Sequence, residues 1–142
     1  MHQASEIWGG QKTNVLYGAL LSWSGGTGNQ KYLAESWKVP GVPNAVTGIA
    51  FHPYAMEGTY EQNIATFKNA VTGARNFINT LTNGAGKSLW LTEVGWAAEG
   101  VQFPMGQPTQ ASLLNAAFDY AEKKEAAYNL KAIVWYNYRP TE

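Results

Sequence analysis

The sequence predicts an α/β domain built on four parallel strands, and three observations carry that reading. Four short apolar or β-branched runs, "NVLYGALLS" (14–22), "TGIAFH" (47–52), "SLWLTEV" (88–94) and "KAIVWYNY" (131–138), have the length and composition of buried strands. Helical patterns separate them, and a chain that alternates strand with helix returns to the same end of its sheet through right-handed crossovers, which is parallel pairing. The 142 residues, 45% hydrophobic and 14% charged, suit one globular domain over 1–142, with 1–12 as an irregular lead-in.

The elements follow in order. After the first strand, "SGGTGNQK" (24–31) stands where a phosphate loop would stand, but it matches neither G-x-x-x-x-G-K-[ST] nor G-x-G-x-x-G and reads as an ordinary glycine-rich loop. A short helix lies within "NQKYLAESW" (29–37). After the second strand, residues 59–81 place Ile64, Phe67, Val71, Ala74, Ile78 and Leu81 at alternating steps of three and four, which draws one apolar stripe down a helix. Thr59 with Gln62 forms a capping box at its start, and Gly84 marks its stop. The last helix begins after Pro108 with Thr109 as its cap, turns Leu113, Leu114, Ala117, Tyr120 and Ala121 inward, and ends at Asn129.

Composition excludes several functions. Ten Lys and Arg balance ten Asp and Glu, so there is no electrostatic footprint for nucleic acid or an anionic membrane. No run is long enough to span a bilayer, and "MHQASEIWGG" lacks the basic start and apolar core of a signal peptide. The absence of cysteine removes disulfide and thiolate-metal chemistry. Two histidines, one of them His2, offer no metal-ligand spacing, no cofactor motif is present, and there is no G-x-S-x-G elbow.

The loops that leave the strands are long and rich in Gly, Pro and aromatic residues, as in "FHPYAMEGT" (51–59) and "GWAAEGVQFPMGQP" (95–108), whereas the turns that enter them are plainer. In parallel α/β proteins the loops at the carboxyl ends of strands build the site. A site is therefore expected at 52–58, 93–107 and from Trp135 onward. Strand alternation puts Leu89, Leu91 and Glu93 on one face and Trp90, Thr92 and Val94 on the other, while His52 shares parity with Tyr54, and Ile133 with Trp135 and Asn137. If the first set and the other two rows face one interior, their top layer is His52, Tyr54, Glu93 and Trp135, with Asn137 at its edge. Singly, each has an ordinary structural role. Together they form a carboxylate ringed by hydrogen-bond donors and an aromatic plate, which suits a sugar.

These residues carry a family likeness. "GIAFHPYA", "LWLTEVGWA" and "VWYNYR", in that order and separated by helices, resemble strands six, seven and eight of the clan A glycoside hydrolases, and "NVLYGALLS" is similar to their strand five. Those are retaining (β/α)8-barrel enzymes that include cellulases, β-xylosidases and related β-glycosidases. The resemblance runs from about residue 13 and is most specific at "TEVGW" and "FHPY". It implies a four-stranded (βα)4-type half TIM barrel in which Glu93 is the catalytic nucleophile. It further implies that His52 and Tyr54 contact the nucleophile or substrate, that Trp135 floors the subsite of the cleaved sugar, and that Trp96 lies in the loop beside it. No cofactor is implied, and the family is often secreted.

The family's strand-four Asn-Glu pair, whose Glu is the general acid/base, has no match in this sequence. Glu6 precedes the first strand without an Asn before it, and Glu57 and Glu99 lie in loops where carboxylates are ordinarily solvated. Four strands of an eight-stranded barrel also leave two open edges. The expectation is weak or no hydrolysis by this chain alone, with the barrel completed by homodimerisation or a complementary half-barrel. The alternative is a non-catalytic carbohydrate-binding or scaffold half-barrel.

Overall fold

The computed structural model describes residues 14–21, 28–56, 58–100 and 103–136. Strands β1 (Leu16–Leu21), β2 (Gly48–His52), β3 (Ser88–Val94) and β4 (Leu130–Trp135) form one sheet in the order β1-β2-β3-β4, every pair parallel. The helices are α1 (Gly28–Trp37), α2 (Val42–Ala45), α3 (Tyr60–Thr80) and α4 (Gln107–Tyr128). Because the strand order is sequential, each right-handed crossover steps in the same direction and places its helix on the same face of the sheet.

Burial follows that layering. Paired residues Ile49 and Leu89, and Phe51 and Leu91, are fully enclosed with Phe67, Val71, Ala74 and Ile78 of α3 and Leu113 and Ala117 of α4. Gly48, Ser88 and Trp90 lie on the opposite face, since a Cβ on Gly48 would meet Ser88 Oγ at 2.4 Å and Trp90 Nε1 at 2.8 Å. Among the described residues β1 and β4 each have a strand neighbour on one side only.

The helix ends show which local signals worked. The Thr59 side chain accepts from the Gln62 backbone N–H and the Gln62 side chain accepts from the Thr59 N–H, so the capping box is complete. Asn129 closes α4 in the left-handed conformation. Thr109 is not the cap of α4. The helix starts two residues earlier at Gln107 behind Gly106, because Pro108 fits the first turn, where its missing N–H would have no intrahelical partner anyway. Helix α3 stops at Thr80 rather than beside Gly84, which belongs to a 3-10 turn, Gly84–Gly86. Gly84 is required for space, since a Cβ there would lie 1.8 Å from the Ile78 carbonyl oxygen. Helix α2, four residues behind Gly41, is too short to show a period and was not expected. The fourth strand begins one residue early, at Leu130, and Asn137 and Glu6 lie outside the described residues, as does Glu57.

Arg75, on the buried side of α3, was not legible as a core residue. Its guanidinium donates to the carbonyls of Gly84 (3.0 Å), Lys87 (2.7 Å) and Tyr128 (3.2 Å), tying the end of α4 to the chain that enters β3. Burial lowers its pKa, no carboxylate among the described residues pairs with it, and carbonyl oxygens at a helix carboxyl end are a favourable place for a cation. Replacing Gly84 with Ala is expected to destabilise the domain by more than about 1 kcal/mol. Gly86→Ala, where a Cβ meets nothing within 4 Å, should leave the urea midpoint nearly unchanged; equal midpoints for the two variants would contradict this packing.

Candidate active site

The sheet's carboxyl edge is where the chemistry collects. Along β3 the pairing with β4 shifts register between Leu91 and Val94, so Leu91 pairs with Ile133 and Val94 with Trp135. That irregularity overturns simple alternation. Leu89 and Leu91 face the helices, Val94 is buried in the same core, and Glu93 instead meets His52 and Tyr54 from β2 and its following loop. A bulge of this kind re-aims a side chain at the end of a strand.

Glu93 is 34% exposed at its side chain and is held through one oxygen. The Tyr54 hydroxyl donates to Oε2, and His52 Nδ1 lies 3.3 Å from the same atom. Among the described residues no donor reaches Oε1. The His52 and Tyr54 rings meet edge to face at 6.1 Å, and the Tyr54 N–H donates to the His52 carbonyl, a tight turn that places both side chains at one end of the sheet. Sequence reasoning missed Thr92, whose Oγ1 lies 3.0 Å from His52 Nε2. It was hidden because alternation with Glu93 set on the His52 face puts Thr92 on the other, whereas the register of β2 with β3 carries Thr92 to His52 and Glu93 is the residue out of step.

The two tryptophans sit differently. Trp135 is partly buried against the core, paired with Val94, and no hydrogen bond or ring contact joins it to Glu93, His52 or Tyr54 among the described residues. Trp96 is 5% exposed with its ring 5.9 Å from that of Phe67, so it backs the loop after β3 from within the core rather than standing at the surface. That loop is closed by Met105 and Gly106 donating to the carbonyls of Ala97 and Ala98 (3.0 Å each), and Gln110 Nε2 donates to the Trp96 carbonyl at 2.6 Å. Glu99 is exposed and accepts from Gln107 Nε2.

An apolar rim was also not foreseen. Leu21 at the end of β1, Met56 after β2, Phe103 after β3 and Tyr136 after β4 are each between 45% and 57% exposed. A large apolar side chain thus stands in solvent at the end of each strand or just beyond it. No group of three or more His, Cys, Asp or Glu side chains that could hold a metal occurs among the described residues, and no helix among them is long and apolar enough to cross a membrane. No protein-family model matches the chain, and neither a curated protein nor a solved structure matches it.

Burial, and then the bond to Glu93, push the Tyr54 phenol above the ordinary tyrosine range, with the neighbouring Tyr136 adding to the shift. A folded pKa above the unfolded value of about 10 means that the Tyr54 contribution to stability is complete below about pH 10 and fades as pH rises through the folded value. In a spectrophotometric titration, the difference between wild type and Tyr54→Phe is therefore expected to be a phenol that ionises above the ordinary range. A difference curve centred near pH 10 would contradict the Tyr54–Glu93 bond.

Proposed function

We propose that this chain carries the nucleophile half of a retaining glycosidase site for β-linked sugars. The observation that carries the reading is the asymmetry of Glu93. One carboxylate oxygen accepts from Tyr54 and lies beside His52, and the other, which no donor among the described residues reaches, is left for attack. In a retaining mechanism Oε1 attacks the anomeric carbon, a glycosyl–oxygen ester bond forms, and the aglycone oxygen departs with the electrons of the broken bond. Tyr54 and His52 keep the carboxylate from rotating away from that approach.

In this reading the four strands stand for the second half of a (β/α)8 barrel, in which the top of the sheet holds the chemistry. Trp135 supplies a sugar-facing ring, Trp96 supports the loop that borders it, and the apolar rim receives the C–H faces of neighbouring sugar units. The second carboxylate that retaining hydrolysis needs, about 5 Å away, comes from another half-barrel. A second copy related by a two-fold axis along the strands would set β1 of one protomer beside β4 of the other and satisfy both edges at once, but it lacks the acid/base as this copy does, so the second carboxylate belongs to a complementary half-barrel. The resulting protein takes a carbohydrate substrate and needs no cofactor.

Incubation with an activated 2-deoxy-2-fluoro-β-glycoside is expected to add one glycosyl mass, mapped to the peptide that contains Glu93, and to add none in Glu93→Gln. Labelling elsewhere, or equal labelling of the variant, would sink the assignment. Aryl glycosides with good leaving groups are the substrates expected to turn over, because they need little protonation. Hydrolysis of an unactivated disaccharide that persists in Glu93→Gln would count equally against it. Light scattering is expected to give twice the mass of the chain for a self-completed barrel, and a monomer at micromolar concentration would exclude that form.

The exposed rim favours a second reading, a non-catalytic carbohydrate-binding half-barrel. Sugar binding that survives Glu93→Ala but is lost in Trp135→Ala would select it.

A further inference from the structure

The imidazole of His52 has a partner at each nitrogen. Nδ1 lies 3.3 Å from Glu93 Oε2, and Nε2 lies 3.0 Å from Thr92 Oγ1. The regular pairing of β2 with β3, Ala50 with Trp90 and Phe51 with Leu91, carries on to set Thr92 beside His52. Consecutive strand residues normally point to opposite faces, so Glu93 reaches the same ring only because β3 slips register between Leu91 and Val94.

Electrostatics and the Thr92 hydrogen bond together set the tautomer. At 3.3 Å from a carboxylate oxygen, a ring lone pair on Nδ1 would be repelled and an N–H attracted, so the Glu93 contact favours the hydrogen on Nδ1. In a neutral imidazole Nε2 is then a lone pair, and a hydroxyl can donate to it. We propose that Thr92 is a positioning residue whose hydroxyl donates to His52 Nε2, selecting the Nδ1–H tautomer and so keeping the ring a donor to Glu93. Water replaces that hydroxyl poorly, because His52 is 9% exposed. An unpartnered Nε2 in such a place would lose a hydrogen bond with little compensation. Without Thr92 the ring gains by moving its hydrogen to Nε2 or by turning over, and either change removes a donor from Glu93. The value of this arrangement for attack by Glu93 rests on the glycosidase reading; the tautomer itself does not.

The test is long-range ¹H–¹⁵N correlation of the imidazole nitrogens in the full chain, followed upward in pH until the ring shifts stop changing. The His52 signals are assigned by their loss in His52→Gln, the other histidine being His2. Wild type and Thr92→Ser are expected to show a protonated-type Nδ1 and a lone-pair-type Nε2. Thr92→Val, which keeps the shape and removes the hydroxyl, is expected to shift both signals toward the opposite tautomer. A wild-type ring with its hydrogen on Nε2, or unchanged shifts in Thr92→Val, would overturn the proposal. Fluoroglycoside labelling of Glu93 is scored separately. Absence of labelling with an Nδ1–H ring overturns the glycosidase reading alone, and labelling with an Nε2–H ring overturns the role of Thr92 alone.

Discussion

The slip in register between Leu91 and Val94 is the constraint on which the site depends. Without it, the residue that follows Leu91 by two would face the helices with Leu89 and Leu91 and would bury a carboxylate among Phe67, Val71 and Leu113. A charge in such surroundings is costly unless it is paired. With the slip, Val94 takes the buried place, and Glu93 joins Thr92, which alternation already sets there, on the His52 side of the sheet. One irregular step thus satisfies the core and builds a polar cluster.

The domain divides its work between the two ends of the sheet. At the amino-terminal end, Arg75 gathers the carbonyls of Gly84, Lys87 and Tyr128, and Gly84 allows the chain to pass close to the end of α3. Those contacts hold the turns that enter β3 and β4 and touch nothing in the site. At the carboxyl end the loops that follow β2 and β3 are longer, an apolar side chain stands exposed at or just beyond the end of every strand, and the polar network centres on Glu93. A parallel sheet favours this split, because its crossovers bring every strand end of one kind to one side. The proposed chemistry occupies the end that the packing leaves free.

Much of this was legible from local signals. The four strands, the order of the helices, the capping box at Thr59 and the stop at Asn129 follow from apolar period and cap chemistry, which act over a few residues. His52, Tyr54 and Glu93 were grouped by parity as the top layer of rows facing one interior, and the structure brings them into contact. The reason given for grouping them was incomplete. Strict alternation put Glu93 with Leu91, and a register slip between two strands is a tertiary event with no period of its own. Thr92 was hidden by the same assumption. Arg75 was hidden because its partners are backbone carbonyls from three separate segments, which no local pattern reveals. Trp96 and Trp135 were assigned by position in their loops and strand, but burial of an aromatic ring depends on what packs over it, here Phe67 for Trp96.

The central claim, that Tyr54 grips the Glu93 carboxylate at the end of the slipped strand, is tested most directly by a double-mutant cycle of Tyr54→Phe and Glu93→Gln measured by urea denaturation. Glu93 is one-third exposed, so the coupling is expected below the roughly 1.5–3 kcal/mol of hydrogen bonds to charged groups, at about 1 kcal/mol. Losses that add to within about 0.3 kcal/mol would contradict the account.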